Sequence, residues 1–179
     1  MCMKNILTAA VIAALFVSCS KSVSELPPET QTGANTFGSK VNGELWVPQG
    51  LGAVPTNDIL EGHLAITELT LNARNFSKSP TETEFEIHLV GVTGPGTYLL
   101  NADVVHPSSD QNYAYYVKRK FTPENEWLTS AHYTGVVNIT KLDIPNMIVS
   151  GNFHFDMMNI YNAPEPVSVT EGRFDIKLK

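Results

Sequence analysis

The stretch RFDIKLK, residues 173–179, decides the fold class because its apolar and charged side chains alternate without interruption. Alternation with a period of two indicates a β-strand that has one face in the core and the other in solvent. The predicted inward residues are Phe174, Ile176 and Leu178, and the predicted outward residues are Arg173, Asp175 and Lys177. A strand of this kind is typical of antiparallel sheets, since parallel strands are usually apolar on both faces.

The same period recurs in FEIHLVG at 85–91, VVNIT at 136–140 and MIVSGNFHF at 147–155. Turn residues separate these runs, and Asn42-Gly43 is typical of a two-residue hairpin turn. We therefore predict an all-β fold, an antiparallel β-sandwich of about eight or nine strands, with a lipocalin-like closed β-barrel as the alternative. A short helix is expected near 121–130.

The first residues of the chain have the layout of an export signal. A short start containing Lys4 precedes an apolar run from Ile6 to Val17, which is too short to span a bilayer. The following LFVSC, ending at Cys19, resembles the lipobox of bacterial lipoproteins. That resemblance implies that residues 1–18 are removed and that the Cys19 thiol is acylated. The alternative is an ordinary signal peptide followed by an unrelated cysteine.

The mature chain divides into two predicted parts. Residues 19–36 are rich in Ser, Thr, Pro and Glu, and this composition predicts a flexible tether behind the lipid. Residues 37–179 form a single β domain of ordinary size. Since Cys2 leaves with the signal and Cys19 carries the lipid, we expect no disulfide, no zinc site built on thiolates and no cysteine nucleophile.

The net charge and the motifs of the chain argue against several classes of function. The formal net charge is −6, which argues against a nucleic-acid partner. The five histidines occur singly, without the spacing of a metal site. The sequence lacks a Gly-x-Ser-x-Gly elbow and a phosphate-binding glycine loop, so we expect neither enzymatic activity nor a cofactor or metal. Glu82, Glu84 and Glu86 share one strand face, which keeps a hydrolase with paired carboxylates as an alternative.

Aromatic residues mark the candidate binding surface. Tyrosine and tryptophan are frequent anchors of recognition surfaces, and segment 101–112 before the tyrosines is long for a sheet connection. The candidate residues are Tyr113, Tyr115, Tyr116, Trp127 and His106. The alternative is that these rings close the core, as Tyr and Trp commonly do. Trp46 is expected in the core.

Four motifs, together with the lipobox, give the chain a family resemblance. FGSKVNGELWVP, GPGTYLL, IVSGNFHFD and VSVTEGRFDIKL are similar to segments of small Bacteroidota lipoproteins of unknown function. The resemblance covers most of the mature chain and implies a compact β domain on a lipid anchor in the outer membrane, on either its periplasmic or its external face. It implies no catalytic residues.

These observations leave three functions open. The first is a non-enzymatic binding module for an envelope protein or a glycan, which is the reading we favour. The second is a small-ligand carrier with a barrel cavity. The third is the hydrolase.

Overall fold

The architecture is seen in a computed structural model that describes residues 23–50, 59–77, 81–119, 125–161 and 165–179. The predicted signal at 1–18 and the predicted lipidation site Cys19 lie outside the described residues. No helix long and apolar enough to cross a membrane occurs in the described parts of the chain.

The described residues form eleven strands, somewhat more than the eight or nine predicted. The strands are β1 (Thr36–Val41), β2 (Glu44–Trp46), β3 (Leu60–Ala65), β4 (Glu68–Asn75), β5 (Glu82–Leu89), β6 (Gly96–Leu100), β7 (Tyr113–Arg119), β8 (Glu126–Leu128), β9 (Gly135–Asp143), β10 (Ile148–Asn159) and β11 (Val167–Lys177). All strand pairs are antiparallel. The prediction of an all-β antiparallel fold is therefore confirmed.

The strands belong to one sheet that curls into a half-barrel. Its order is β2-β1-β11-β10-β8-β7-β5-β4-β3, and β9 and β6 extend a branch from β10. Strand β10 makes the branch because most of its length pairs with β11 and β9, whereas Met158 and Asn159 pair with β8. At the open side, the backbone N–H of Lys179 donates to the carbonyl of Gly62 at 2.9 Å. The fold thus lies between the sandwich and the closed barrel that the sequence left open.

Aromatic rings fill the space inside the curl. The ring centroids of Phe37 and Phe153 are 5.1 Å apart, and those of Phe85 and Phe155 are 6.2 Å apart. Gly172 makes room for Phe153, since a Cβ at this position would lie 2.3 Å from the phenylalanine ring. The inward residues predicted on β5, β10 and β11 are all buried, so the alternation identified the core face correctly.

The predicted hairpin is present, whereas the described part of the predicted helix, residues 125–130, is not helical. Strands β1 and β2 join through Asn42 and Gly43, which both have positive φ, of 50° and 83°. Residues 126–128 form strand β8 instead of part of a helix, and residues 120–124 lie outside the described parts. Pairing of this short strand with β7 and β10 outweighs its local helical preference.

Asp175 is the largest departure from the predicted pattern. The alternation places it on the outward face, yet it is only 1% exposed because the N-terminal segment covers it. Its carboxylate accepts hydrogen bonds from Thr30 Oγ1 (2.6 Å), Thr32 N (2.9 Å), Gly33 N (2.8 Å), Ala34 N (3.1 Å) and Ser150 Oγ (2.7 Å). Residues 30–34 are thus bound to the sheet, which corrects the prediction of a flexible tether for this part of 19–36.

The hydrogen bonds decide the ionisation state of Asp175. Burial alone opposes the charge and would raise the pKa of this carboxyl. The bonds from Thr30, Ser150 and the backbone of the covering segment outweigh burial and hold the pKa well below its usual range. The carboxylate therefore stays charged throughout the physiological pH range.

We predict that Asp175→Asn lowers the free energy of unfolding by about 3 kcal/mol, because hydrogen bonds to a charged group are lost or weakened. The measurement is urea unfolding of the mature chain. Asp156→Asn, which changes an exposed carboxylate on β10, is the matched control and is expected to be nearly neutral. Equal stability of the two variants would contradict the role of Asp175.

The depressed pKa also predicts how stability depends on pH. The stabilisation from Asp175 is complete above the unfolded carboxyl pKa of about 4 and is lost as the pH falls from there toward the folded value. Unfolding curves measured between neutral and strongly acidic pH should therefore show a steeper acid loss for the unmodified chain than for Asp175→Asn. Parallel pH profiles would show that this carboxylate is not the responsible group.

Candidate functional site

The five candidate residues do not form one surface, because strand alternation separates them. Along β7, Tyr116 points into the core, whereas Tyr113 and Tyr115 point to the outer face of the sheet. Trp127 of β8 lies opposite Tyr116, with ring centroids 5.7 Å apart. His106 lies with the outer pair. The structure therefore contains two separate groups, and each has its own geometry.

The first group, the outer cluster, consists of His106, Tyr113, Tyr115 and Glu86. The imidazole of His106 stacks on Tyr115 with centroids 3.8 Å apart and planes inclined by 5°. Tyr113 meets the same imidazole edge-on at 5.6 Å and donates its hydroxyl to Glu86. Nε2 of His106 lies 3.6 Å from Oε1 of Glu86, within ion-pair distance when the imidazole is protonated. These contacts hold segment 101–112 against the sheet.

Both phenols of the outer cluster remain neutral. Burial, followed by the hydrogen bond to the Glu86 carboxylate, raises the pKa of Tyr113 well above its usual value. Tyr115 donates to Oε2 of Glu126 at 2.7 Å, and burial together with that carboxylate likewise raises its pKa. Tyr113 is also only 1% exposed. The outer cluster therefore attaches a loop to the sheet and offers little open contact area.

Glu84, the middle residue of the predicted row of glutamates on β5, lies in an environment unlike that of a general acid. Burial would raise the pKa of Glu84, but Arg119 and Arg74 bond to this carboxylate and lower the pKa overall. The two distances are 2.7 Å from Arg119 Nη2 and 2.9 Å from Arg74 Nε. A general acid needs a raised pKa, so Glu84 has the opposite of the required shift.

The second group lies at the other end of the sheet and lines an open cleft of about 530 Å³, here called the tryptophan cleft. Its aromatic residues are Trp46, Tyr116 and Trp127. The cleft is also lined by uncharged and charged residues, among them Val23, Leu45, Gln49, Asn75, Ser77, Thr83, Glu44, Lys118 and Glu165. The volume is within the range of small-molecule sites, which typically combine aromatic walls with a few fixed polar groups.

Hydrogen bonds fix the aromatic wall of the tryptophan cleft. The Asn42-Gly43 turn brings Trp46 back over the core, where its indole N–H donates to Thr83 Oγ1 at 2.8 Å. Thr83 in turn hydrogen-bonds to Tyr116, and burial raises the pKa of Tyr116 to about 12 despite that bond. The indole N–H of Trp127 donates to the carbonyl of Glu165 at 2.7 Å. Because both indole donors are paired, the rings are held in one orientation.

The polar rim of the cleft is partly preorganised. The side chain of Asn75 donates to the carbonyl of Val47 at 2.7 Å and accepts from the backbone N–H of Ser77 at 2.9 Å. The backbone of Gln49 bonds to Arg74 and Phe76 on either side of Asn75. Within the described residues, the side-chain amide of Gln49 makes no hydrogen bond. This amide is therefore a rim group available to a ligand.

The sequence predicted some of the residues that line the cleft. Tyr116 and Trp127 were among the candidates, while Trp46 was assigned to the core, where most of its side chain is indeed buried. No sequence pattern marked Gln49 or Thr83 as a site residue, because a single amide or a single hydroxyl is common in any strand or loop. Within the described residues, no cluster of three or more His, Cys, Asp or Glu side chains is placed to hold a metal ion.

We predict that His106→Ala loosens segment 101–112 without unfolding the sheet. Loss of a stacked ring pair costs about 1 kcal/mol, so amide hydrogen exchange in this segment should accelerate about fivefold. His154→Ala, which removes an exposed imidazole on β10, is the control. Unchanged exchange in the segment would show that the stack does not hold it.

Comparisons with known proteins identify no relative of this chain. Searches against protein-family models, curated proteins and solved structures find no match to this chain. The residues of the cleft are therefore the basis for assigning it a ligand.

Proposed function

We propose that this protein is a lipid-anchored protein of the cell envelope whose β domain is a non-enzymatic binding module. The resemblance of LFVSC to a lipobox supports attachment to the outer membrane through an acylated Cys19. The resemblance of four further motifs to segments of small Bacteroidota lipoproteins supports the same location.

The tryptophan cleft is the observation that carries the binding function. It lies against three fixed and largely buried aromatic rings and has an amide and hydroxyl rim, and the described residues offer it no nucleophile paired with a base. A carrier with an interior cavity is less well supported, because phenylalanine rings occupy the inside of the curl.

The chemistry of the cleft favours a glycan as the ligand. A sugar ring presents C–H groups on its faces and hydroxyls around its edge, so it suits aromatic walls with a rim of uncharged donors and acceptors. The amide of Gln49 supplies a donor and an acceptor for such hydroxyls. A ligand of this kind needs neither a metal nor a charged partner.

The first test is native mass spectrometry of the full chain, produced in a bacterium that lipidates exported proteins and purified gently. We predict an acylated mature chain with a co-purifying mass that is lost in Gln49→Ala. Gln31→Ala, which removes an exposed amide in the covering segment, should retain that mass. A chain that carries acyl groups but no ligand in either form would contradict the binding function, and a chain without acyl groups would contradict the anchoring.

Intrinsic fluorescence supplies an independent readout. The chain contains two tryptophans, Trp46 and Trp127, and both line the cleft. Addition of the released ligand to the stripped protein should therefore change the emission, and Gln49→Ala should weaken that response.

A further inference from the structure

The N-terminal segment leads from the far end of the sheet to the tryptophan cleft. Gly33 lies beside Ile148 at the start of β10, and Pro27 packs over Gly38 in the middle of β1. A Cβ on Gly38 would lie 2.6 Å from Pro27, so the glycine allows this close passage. Val23 then lines the cleft. The segment thus runs back along β1, opposite to the direction of that strand.

This path sets the distance between the cleft and the proposed lipid. Cys19 precedes Val23 by four residues, and four extended residues span at most about 14 Å. Residues 30–34 are fixed by Asp175 and Pro27 packs on β1, so the path reaches the cleft before the chain leaves the described residues. An acyl anchor on Cys19 therefore holds the cleft close to the bilayer surface.

The surroundings of the exit point suit contact with a membrane. Val23 is 48% exposed, and Leu45 on the wall of the cleft is 36% exposed. Val23 also borders a second groove of about 480 Å³, whose lining includes the apolar residues Pro27, Phe37 and Pro48. Exposed apolar side chains beside an anchor gain contact with the acyl boundary of the headgroup layer.

The charged residues on the wall of the cleft limit which lipid headgroups it can bind. Glu44 and Glu165 on the wall of the cleft outnumber Lys118, the basic residue among the described lining residues. Carboxylates at this position repel phosphate-bearing or other anionic headgroups that lack a compensating cation. The amide of Gln49 and the aromatic wall are suited to uncharged, hydroxyl-bearing groups.

We infer that the tryptophan cleft opens onto the membrane that carries the Cys19 anchor and takes the uncharged, sugar-bearing headgroup of a lipid in that membrane. This inference rests on the proposed anchoring and glycan binding, and it adds the source of the glycan. A lipid-borne ligand gains from the short tether, since anchoring protein and ligand in one surface raises their effective concentration.

The orientation is tested with single-cysteine variants of the lipidated full chain. Ser77→Cys places a thiol at the cleft, and Ser109→Cys places one in segment 101–112 near the opposite end of β7. Both serines are exposed, and acylation of Cys19 leaves the new thiol as the site that a maleimide fluorophore labels. The labelled proteins are reconstituted in phosphatidylcholine vesicles that contain a lipid with a nitroxide on its headgroup.

We predict that the nitroxide quenches the fluorophore at Ser77→Cys several-fold more strongly than that at Ser109→Cys. Equal quenching, or stronger quenching at Ser109→Cys, overturns the inference while leaving the anchoring intact. The same labelled variants produced as residues 20–179, without the predicted signal and without Cys19, serve as the control and should show no quenching, because their β domain is not attached to the vesicle.

The source of the glycan is tested on the co-purifying mass itself. Extraction of the native complex with organic solvent should recover a neutral, sugar-bearing lipid. Recovery of a water-soluble sugar alone would overturn the lipid source and would leave the proposed glycan binding standing. Absence of acyl groups on Cys19 would remove the proposed anchoring together with this inference.

Discussion

The buried carboxylate of Asp175 is the constraint on which the arrangement of the chain depends. Six hydrogen bonds from two separate parts of the sequence converge on it, and five of them come from residues 30–34. A charge removed from water is stable only when it is fully hydrogen-bonded, so the covering segment and the carboxylate require each other. Together with the packing of Pro27 over Gly38, this contact directs the N-terminal segment along β1 toward the tryptophan cleft.

The period-two geometry of β7 and β8 then determines what each aromatic ring can do. Tyr113 and Tyr115 lie outside, where His106 covers them and the adjacent loop is attached. Tyr116 and Trp127 lie on the inner side and end at the cleft. One pair of strands thus attaches a loop on one face and places two aromatic residues of the cleft on the other.

The sequence predicted the parts of the fold that follow from local pattern. Phe174 and Ile176 were placed inward because alternation has one solution when one face is buried, and Asn42-Gly43 is a strong turn signal. The three-residue strand β8 was missed because so short a run has no measurable period. Alternation also predicts which face of the sheet Asp175 lies on, but it does not predict what covers that face. The burial of its charge therefore became visible only in the tertiary structure.

The candidate site was predicted in part for similar reasons. Tyr116 and Trp127 were selected for their chemistry, but the contribution of Trp46 depends on the hairpin that folds it back toward β5. The five candidate residues do not form the single surface that was predicted, because neighbouring residues of a strand face opposite sides of the sheet.

Strand β11 has a consequence for the time at which the protein can fold. It is the last strand in the sequence, yet it pairs on one side with β1 and on the other with β10. The segment that covers the sheet also bonds to a residue of β11, Asp175. Because β1 has β11 as a partner, it cannot complete its native pairing until β11 has been synthesised. A domain whose first strand pairs with so distant a segment has a high contact order, and such domains fold slowly.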